Sequence, residues 1–371
     1  MANILDYLHW RGDLSLVQDP FNRIDSLILA ELAYLKLEGI VPGKGRWLSL
    51  KEVAEAYPAP EANARPRRLM RYDLLQRCAS SQRFGSVTAG RFLEIFDSEK
   101  AIQFSAVTFR LPDGTDYLAY RGTDGTFTGW REDFHLAFKD ATPSQTAASA
   151  YLDIYPGERK LRLGGHSKGG NLALYAAVMT NESQRQRILT VDSFDGPGFR
   201  EGFLHQSGYE EVKERICEVL PESSVIGILM HTPWKQEIVR SSVNGLEQHD
   251  PFSWQLYGKE FLQVERFSAF SQFFEEAIDT WLESVEPAQR QIFVDTFFDA
   301  IEESGLERIS DLNERWLRSL AAIEKALAKT DPSKVKTMRD VWFKLAQAST
   351  GIIWNEVKQR FEKKDSSDPA V

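Results

Sequence analysis

The stretch LRLGGHSKGGNLALYAA, residues 161–177, is the feature that most constrains the fold of this chain. It begins as a strand and ends with the spacing of a helix, on which Leu172 and Ala176 can face a sheet. Ser167 lies on the turn between them, and the glycines on either side let strand and helix approach closely around a strained backbone. A Gly-x-Ser-x-Gly turn in this context predicts a nucleophile elbow, which presents a serine hydroxyl to a substrate.

Strands and helices alternate around this stretch. Two runs rich in β-branched and aromatic residues, at 102–111 and 116–122, are separated by PDGT, which is typical of a hairpin. Helical patterns follow at 129–139 and 144–154, and RILTVDSF at 187–194 predicts a strand after the elbow helix. Such alternation predicts an α/β fold with a mostly parallel sheet flanked by helices.

Helical segments are predicted on both sides of this core. Residues 1–99 carry apolar positions at helical spacing and are expected to pack on the core, which is assigned to residues 100–265. Residues 266–362 predict a helical C-terminal region, and residues 363–371 predict a flexible tail.

The C-terminal region repeats a helical period at 308–328 and 334–362. Its first helix carries apolar side chains along one face: Phe267, Phe270, Phe274, Ile278, Trp281 and Leu282. Packing against the core or between these helices explains the pattern. The alternative is a surface that binds a protein partner or forms a lid.

Composition excludes several functions. The 45 Lys and Arg residues against 54 Asp and Glu give a net charge of −9, which repels nucleic acids and anionic membranes. Cys78 and Cys217 lack metal-ligand spacing, so neither a metal nor another cofactor is expected. The N-terminus has no signal-like apolar run, and no 18 apolar residues follow one another, so we expect a cytoplasmic protein without a transmembrane segment.

A serine nucleophile needs a histidine base, which follows the serine in the chain order of this fold. His166 lies inside the elbow and is expected to point elsewhere. Three histidines follow the elbow: His205, His231 and His249. We favour His249, because it comes after a predicted strand and opens a loop beside the next one, with His231 as the second choice.

The base in turn needs a carboxylate that orients it. Asp192 and Asp195 come at the end of a predicted strand, at the sheet edge where such sites lie. Asp195 is favoured because the Gly-Pro-Gly that follows it forms a tight turn that can aim it inward. Two backbone N–H groups are also needed for the oxyanion, and we expect them from Lys168 and from Thr123 or Gly122.

Three segments, AYRGT at 119–123, GWREDF at 129–134 and GGHSKGGNLA at 164–173, resemble class 3 lipases, which have the α/β-hydrolase fold. This resemblance covers residues 100–255. With FDGPGF and QHDPFSW, the chain also resembles a bacterial family of lipase-like α/β-hydrolases. The resemblance implies Ser167 as nucleophile, His249 as base, and Thr123 and Lys168 as oxyanion donors.

Two segments depart from the class 3 pattern. These lipases place the acid in a Gly-Asp-x-Val-Pro segment, where this chain has Ser223 and Ser224 in PESSVIGIL. The acid is then Asp195 or Asp192, or it is missing. Lys168 replaces the usual leucine, and its cation is expected to favour an anionic acyl substrate or to reach solvent.

The sequence thus predicts a serine hydrolase of lipase, esterase or thioesterase type, acting on a small or lipid-like acyl substrate. Acyl transfer to an acceptor other than water would use the same residues. A different class of function is also open: a catalytically impaired lipase-like module that binds a protein or acyl ligand through its helical C-terminal region.

Overall fold

The computed structural model describes residues 2–61, 63–100, 102–123, 127–136, 139–303 and 336. The chain divides into two units, Met1–Asp124 with Thr128–Ser268, and Gly125–Phe127 with Ala269–Val371. All five residues of the predicted site belong to the first unit.

A sheet of eight strands runs through the first unit in sequential order. Its strands are β1 Leu48–Ser49, β2 Thr88–Asp97, β3 Ile102–Arg110, β4 Asp116–Tyr120, β5 Leu161–His166, β6 Ile188–Phe194, β7 Ile216–Pro221 and β8 Lys235–Val239. The first four strands pair antiparallel and β4 to β8 pair parallel. A small hairpin, β9 Leu256–Tyr257 and β10 Glu260–Phe261, follows.

Helices cover both faces of this sheet. They are α1 Ile4–Arg11, α2 Arg23–Leu32, α3 Leu50–Ala56, α4 Pro66–Ser80, α5 Phe127–His135, α6 Pro143–Asp153, α7 Lys168–Met179, α8 Glu182–Arg185 and α9 Ser207–Val212. Strand β4 is buried on both sides, because Tyr117 belongs to a core formed with α1, α2 and α4, whereas Leu118 belongs to a core formed with α6 and α7. The predicted α/β-hydrolase-type fold is confirmed.

The sheet begins earlier in the chain than expected. Residues 1–99 were predicted to be a helical segment, yet Thr88–Asp97 forms β2 and pairs with β3 over nearly its whole length. Strand pairing is a tertiary contact, and it decides the conformation of a half-exposed segment whose apolar pattern is weak. The helical N-terminal part therefore ends with α4, at Ser80.

Helix α2 is held firmly against the sheet. Asn22 accepts a hydrogen bond from the Asp25 backbone N–H while the Asp25 carboxylate accepts one from the Asn22 N–H, which closes a capping box at the helix start. The buried Arg83 Nε donates to Asp25 Oδ1 at 2.7 Å. These contacts fix the start of α2.

The second unit contains two described helices, α10 Ala269–Ser284 and α11 Pro287–Glu303. The helices predicted at 308–328 and 334–362, apart from residue 336, and the tail predicted at 363–371, lie outside the described residues. Over the part of the chain that is described, no helix has the length and apolarity needed to cross a membrane.

Candidate active site

Ser167 occupies the turn between β5 and α7 in a strained conformation, with φ +59° and ψ −136°. Residues with a side chain rarely adopt this left-handed region. The flanking glycines permit this tight turn. A Cβ on Gly165 would lie 2.3 Å from the Gly169 carbonyl carbon, and a Cβ on Gly169 would lie 2.1 Å from the backbone carbonyl oxygen of Tyr120. The predicted strand–turn–helix geometry is therefore present, and it needs glycines on both sides of Ser167 because larger residues would clash with the neighbouring backbone.

The ring of His249 lies between Ser167 and Asp195. Ser167 Oγ and His249 Nε2 are 3.0 Å apart, and His249 Nδ1 is 2.6 Å from Asp195 Oδ2. A carboxylate only accepts, so Nδ1–H donates to Asp195 and leaves the Nε2 lone pair for the serine hydroxyl. Three side chains from separate parts of the chain thus form one continuous line of hydrogen bonds.

Asp195 follows β6 with φ +50° and is completely buried. Its second carboxylate oxygen, Oδ1, accepts from the Ser224 hydroxyl and from the Gly227 backbone N–H at 3.1 Å. Three donors therefore hold this carboxylate, and one of them is the serine found where the class 3 pattern expects the acid.

Asp192 faces a different environment. It lies within β6 opposite Cys217 of β7. Its carboxyl hydrogen-bonds Ser26 and interacts electrostatically with the positive charge of Arg23. Burial raises the pKa of Asp192 to about 6. Asp195, rather than Asp192, is the carboxylate that contacts the His249 ring.

The other downstream histidines lie apart from this line. His205 ends an exposed 3₁₀ turn, Glu201–His205. His231 is exposed and exchanges two backbone hydrogen bonds with Phe199. His249 ends the 3₁₀ turn Gly245–His249, and within the described part of the chain it is the histidine whose ring contacts Ser167.

The two predicted oxyanion donors flank the serine. Lys168 is the first residue of α7, so its backbone N–H has no acceptor within the helix. On the other side, a Cβ added to Gly122 would lie 3.1 Å from Ser167 Cβ, which brings the loop of Thr123 next to the elbow. The Thr123 hydroxyl donates to Asp133 Oδ2 at 2.6 Å and fixes this loop on α5.

The Lys168 cation was expected to reach solvent or to favour an anionic acyl substrate, and the structure contradicts this expectation. It is buried, with Nζ 2.9 Å from Glu132 Oε2 and 3.6 Å from Asp133 Oδ1. Glu132 also accepts from the backbone N–H and the hydroxyl of Ser144, at 2.7 and 2.6 Å. Because a buried ammonium is stable only when it is paired, Lys168 ties the elbow to α5.

His166 was expected to point away from Ser167, and its ring contacts other groups. Its Nε2 lies 2.8 Å from the His249 backbone carbonyl oxygen, and the two imidazole rings are 4.6 Å apart between centroids. The sequence carries no signal for this contact, since it depends on where the loop of His249 folds back.

No group of three or more His, Cys, Asp and Glu side chains in the described ranges is arranged to hold a metal ion. What the arrangement can do is activate a hydroxyl: a buried carboxylate orients an imidazole, and the imidazole can take the serine proton.

The mostly parallel sheet with a serine on its strand-to-helix turn defines an α/β-hydrolase-like protein. The chain belongs to the Mbeg1-like family, a lipase-like family whose model matches residues 78–299. This membership confirms the lipase-like relationship, while the finer resemblance to class 3 lipases and to a bacterial family stays a prediction.

No curated protein matches the chain. Among solved structures it is similar to one described as the M37 lipase, with 12% sequence identity and a TM-score of 0.35 over 54% of this chain and 68% of that chain.

Proposed function

We propose that this protein is a serine hydrolase that cleaves an acyl ester or thioester of a small or lipid-like substrate. The observation that carries the proposal is the line of hydrogen bonds from Ser167 Oγ through His249 to the buried Asp195. Both distances lie within the range of a working nucleophile and base.

The reaction proceeds in two steps. Ser167 Oγ attacks the acyl carbon while His249 Nε2 takes the hydroxyl proton, and Asp195 stabilises the imidazolium that forms. The C–O or C–S bond to the leaving group then breaks, and His249 returns the proton to that group. Water, activated by His249 in turn, hydrolyses the acyl-serine and restores the free hydroxyl.

Negative charge develops on the carbonyl oxygen during both steps. The backbone N–H groups of Lys168 and Thr123 are the proposed donors to it. Preorganised donors of this kind contribute about 10²–10³ in kcat each. The ion pair of Lys168 with Glu132 and the hydrogen bond of Thr123 to Asp133 both end on α5, which supports a rigid relative placement of the two donors.

The catalytically impaired module was favoured by the serines at 223 and 224, where an acid was expected. Ser224 instead donates to Asp195, and this contact supports Asp195 as the acid and thereby favours the hydrolase over the impaired module. Binding through the helical C-terminal region stays a prediction, as does cytoplasmic localisation.

The experiment is labelling with a fluorophosphonate probe, which reacts with an activated serine. We expect the wild type and Ser183→Ala, a change at an exposed serine, to be labelled, and Ser167→Ala to be unlabelled. A folded wild type that stays unlabelled, under conditions that label a control lipase, would overturn the proposal.

A panel of esters and acyl thioesters of increasing chain length then defines the substrate class. Analysis of products in the presence of alcohols and amines separates hydrolysis from acyl transfer, because transfer gives a new ester or amide in place of the free acid.

A further inference from the structure

We propose that His166 is a positioning residue for the base, and that Glu31 in the last turn of helix α2 and Tyr34 just after the helix hold it in place. The inference rests on the proposed function, because the base it positions is that of the proposed hydrolase. By this proposal the N-terminal helices contribute to the active site in addition to packing on the core.

The first contact is the one between His166 and the main chain of His249. A backbone carbonyl only accepts, so the 2.8 Å contact requires a proton on His166 Nε2, which donates to the His249 oxygen. The His249 ring is itself 24% exposed and lies in a loop of short 3₁₀ turns. The hydrogen bond from the buried His166 fixes the backbone from which this partly exposed ring projects.

The second contact is on the opposite side of the His166 ring. Nδ1 lies 3.2 Å from the Tyr34 hydroxyl and 3.3 Å from Glu31 Oε1. Glu31 is completely buried, and its other oxygen, Oε2, accepts from Arg71 Nε at 2.9 Å. The Arg71 guanidinium in turn lies 3.9 Å above the Tyr34 ring. With its proton on Nε2, the neutral His166 ring accepts at Nδ1, and the Tyr34 hydroxyl, which also lies 3.1 Å from the His166 carbonyl oxygen, is the neighbouring group that can donate to it. His166 is therefore held from both sides.

Burial favours the uncharged form of the His166 ring. Desolvation is the largest cause that lowers the pKa of His166, and desolvation likewise raises the pKa of the Glu31 carboxyl. A neutral ring suits the proposed reaction, because His249 becomes positively charged while it holds the serine proton. A second imidazolium 4.6 Å away would oppose that charge.

The geometric requirement explains why such a support matters. Ser167, His249 and Asp195 come from three separate loops, and misplacing a catalytic group by about 1 Å can lower the rate about 100-fold. The ring nitrogens of His249 are both engaged in the proposed catalysis, so its main chain is the part available for a support.

A matched pair of substitutions tests the proposal. In His166→Gln the side-chain amide extends to about the position of Nε2 and can still donate to the His249 carbonyl, whereas in His166→Asn it reaches only to the position of Nδ1. Both variants are polar and buried, so a role in packing alone predicts similar behaviour. His205→Asn, at an exposed histidine, is the control.

Two measurements are made on the wild type and the three variants. The first is the rate of Ser167 phosphonylation with the corresponding kcat and KM. We expect His166→Asn to lose about 10- to 100-fold in phosphonylation rate and kcat at nearly unchanged KM, and His166→Gln to stay within about threefold of the wild type.

The second measurement does not depend on activity. It is the NMR signal of the His249 Nδ1 proton bonded to Asp195, together with its exchange with water. We expect faster exchange in His166→Asn alone, with thermal unfolding used to confirm that each variant is folded. Equal rates and equal exchange in His166→Asn and the wild type would overturn the proposal.

The two proposals can fail separately. If the folded wild type is not phosphonylated, the hydrolase proposal fails, and the exchange of the His249 proton still decides whether His166 positions that ring. If His166→Asn and His166→Gln lose activity and proton protection to the same extent, the role of His166 is packing, and the positioning proposal fails while the hydrolase proposal stands.

Discussion

The Ser224 hydroxyl donates a hydrogen bond to the carboxylate of Asp195, so that a serine supports this carboxylate in the segment where the resemblance to class 3 lipases predicted the acid. The carboxylate comes instead from the end of β6, one strand earlier in the sheet. Its approach to His249 is possible because Asp195 adopts φ +50° and because Ser224 and Gly227 hold its other oxygen.

Replacing Ser224 should therefore impair both the acid and the fold. We expect Ser224→Ala to lower kcat about tenfold and to destabilise the protein by about 1–3 kcal/mol, because the buried carboxylate loses a donor. Ser223→Ala is the matched control, since the Ser223 hydroxyl contacts Ser268 at 2.8 Å. Urea unfolding and steady-state kinetics check both values, and equal effects of the two changes would contradict the assigned role.

Substitutions of the two aspartates after the elbow should have very different effects on kcat. Asp195→Asn keeps the shape but no longer favours the required tautomer of His249, so we expect kcat to fall about 10⁴-fold. Asp192→Asn should leave kcat within about threefold of the wild type, because its carboxyl contacts Ser26 and not the His249 ring. Kinetics on an ester that the wild type hydrolyses would reject this assignment if the order of the two variants were reversed.

Breaking the buried ion pair of Lys168 should destabilise the fold. Lys168→Met leaves Glu132 and Asp133 without the cation that faces them, and loss of one partner of a buried pair costs about 3–5 kcal/mol. The double variant Lys168→Met/Glu132→Gln should recover part of this loss, since a negative charge is removed as well. Denaturant unfolding of Lys168→Met, Glu132→Gln and the double variant gives the coupling free energy of the two side chains. Strictly additive effects on the free energy of unfolding would show that the pair does not interact.

Stability should fall as the pH rises toward 8, because of Glu218. This buried carboxyl accepts from Trp234 Nε1 at 3.0 Å and from the Ser193 hydroxyl at 3.1 Å, and desolvation raises its pKa from 4.5 to about 8. The folded state therefore holds a proton that the unfolded state releases. The stabilisation is complete below the unfolded pKa of about 4.5 and is lost as the pH rises through the folded pKa of about 8.

Glu218→Gln tests this directly, because a glutamine can serve both partners without a titrating proton. We expect the variant to be more stable than the wild type at pH 8 and to have a flatter dependence between pH 5 and 8. Glu182→Gln, at an exposed glutamate, should follow the wild type. Urea unfolding over this range is the measurement, and identical slopes for wild type and Glu218→Gln would contradict the assignment.

Local sequence determined the elbow and the order of elements around it. The strained turn at Ser167 needs glycines at particular positions, and this steric requirement is written in five consecutive residues. The alternation of strands and helices after residue 100 likewise follows from local periodicity and turn residues. The candidates for base and acid could be reduced to a few, because chain order in this fold limits where they occur.

Tertiary structure alone decided which candidates meet. The Gly-Pro-Gly turn favoured Asp195 over Asp192, but only the folded structure shows that Asp195, just after β6, contacts the His249 ring while Asp192, within β6, does not. The side-chain contacts of Lys168 and His166 could not be predicted for the same reason, since their partners Glu132 and Glu31 lie far from the elbow along the chain. Whether a charged or titratable side chain is buried depends on segments that pack against it after folding, and no pattern in its own neighbourhood encodes those contacts.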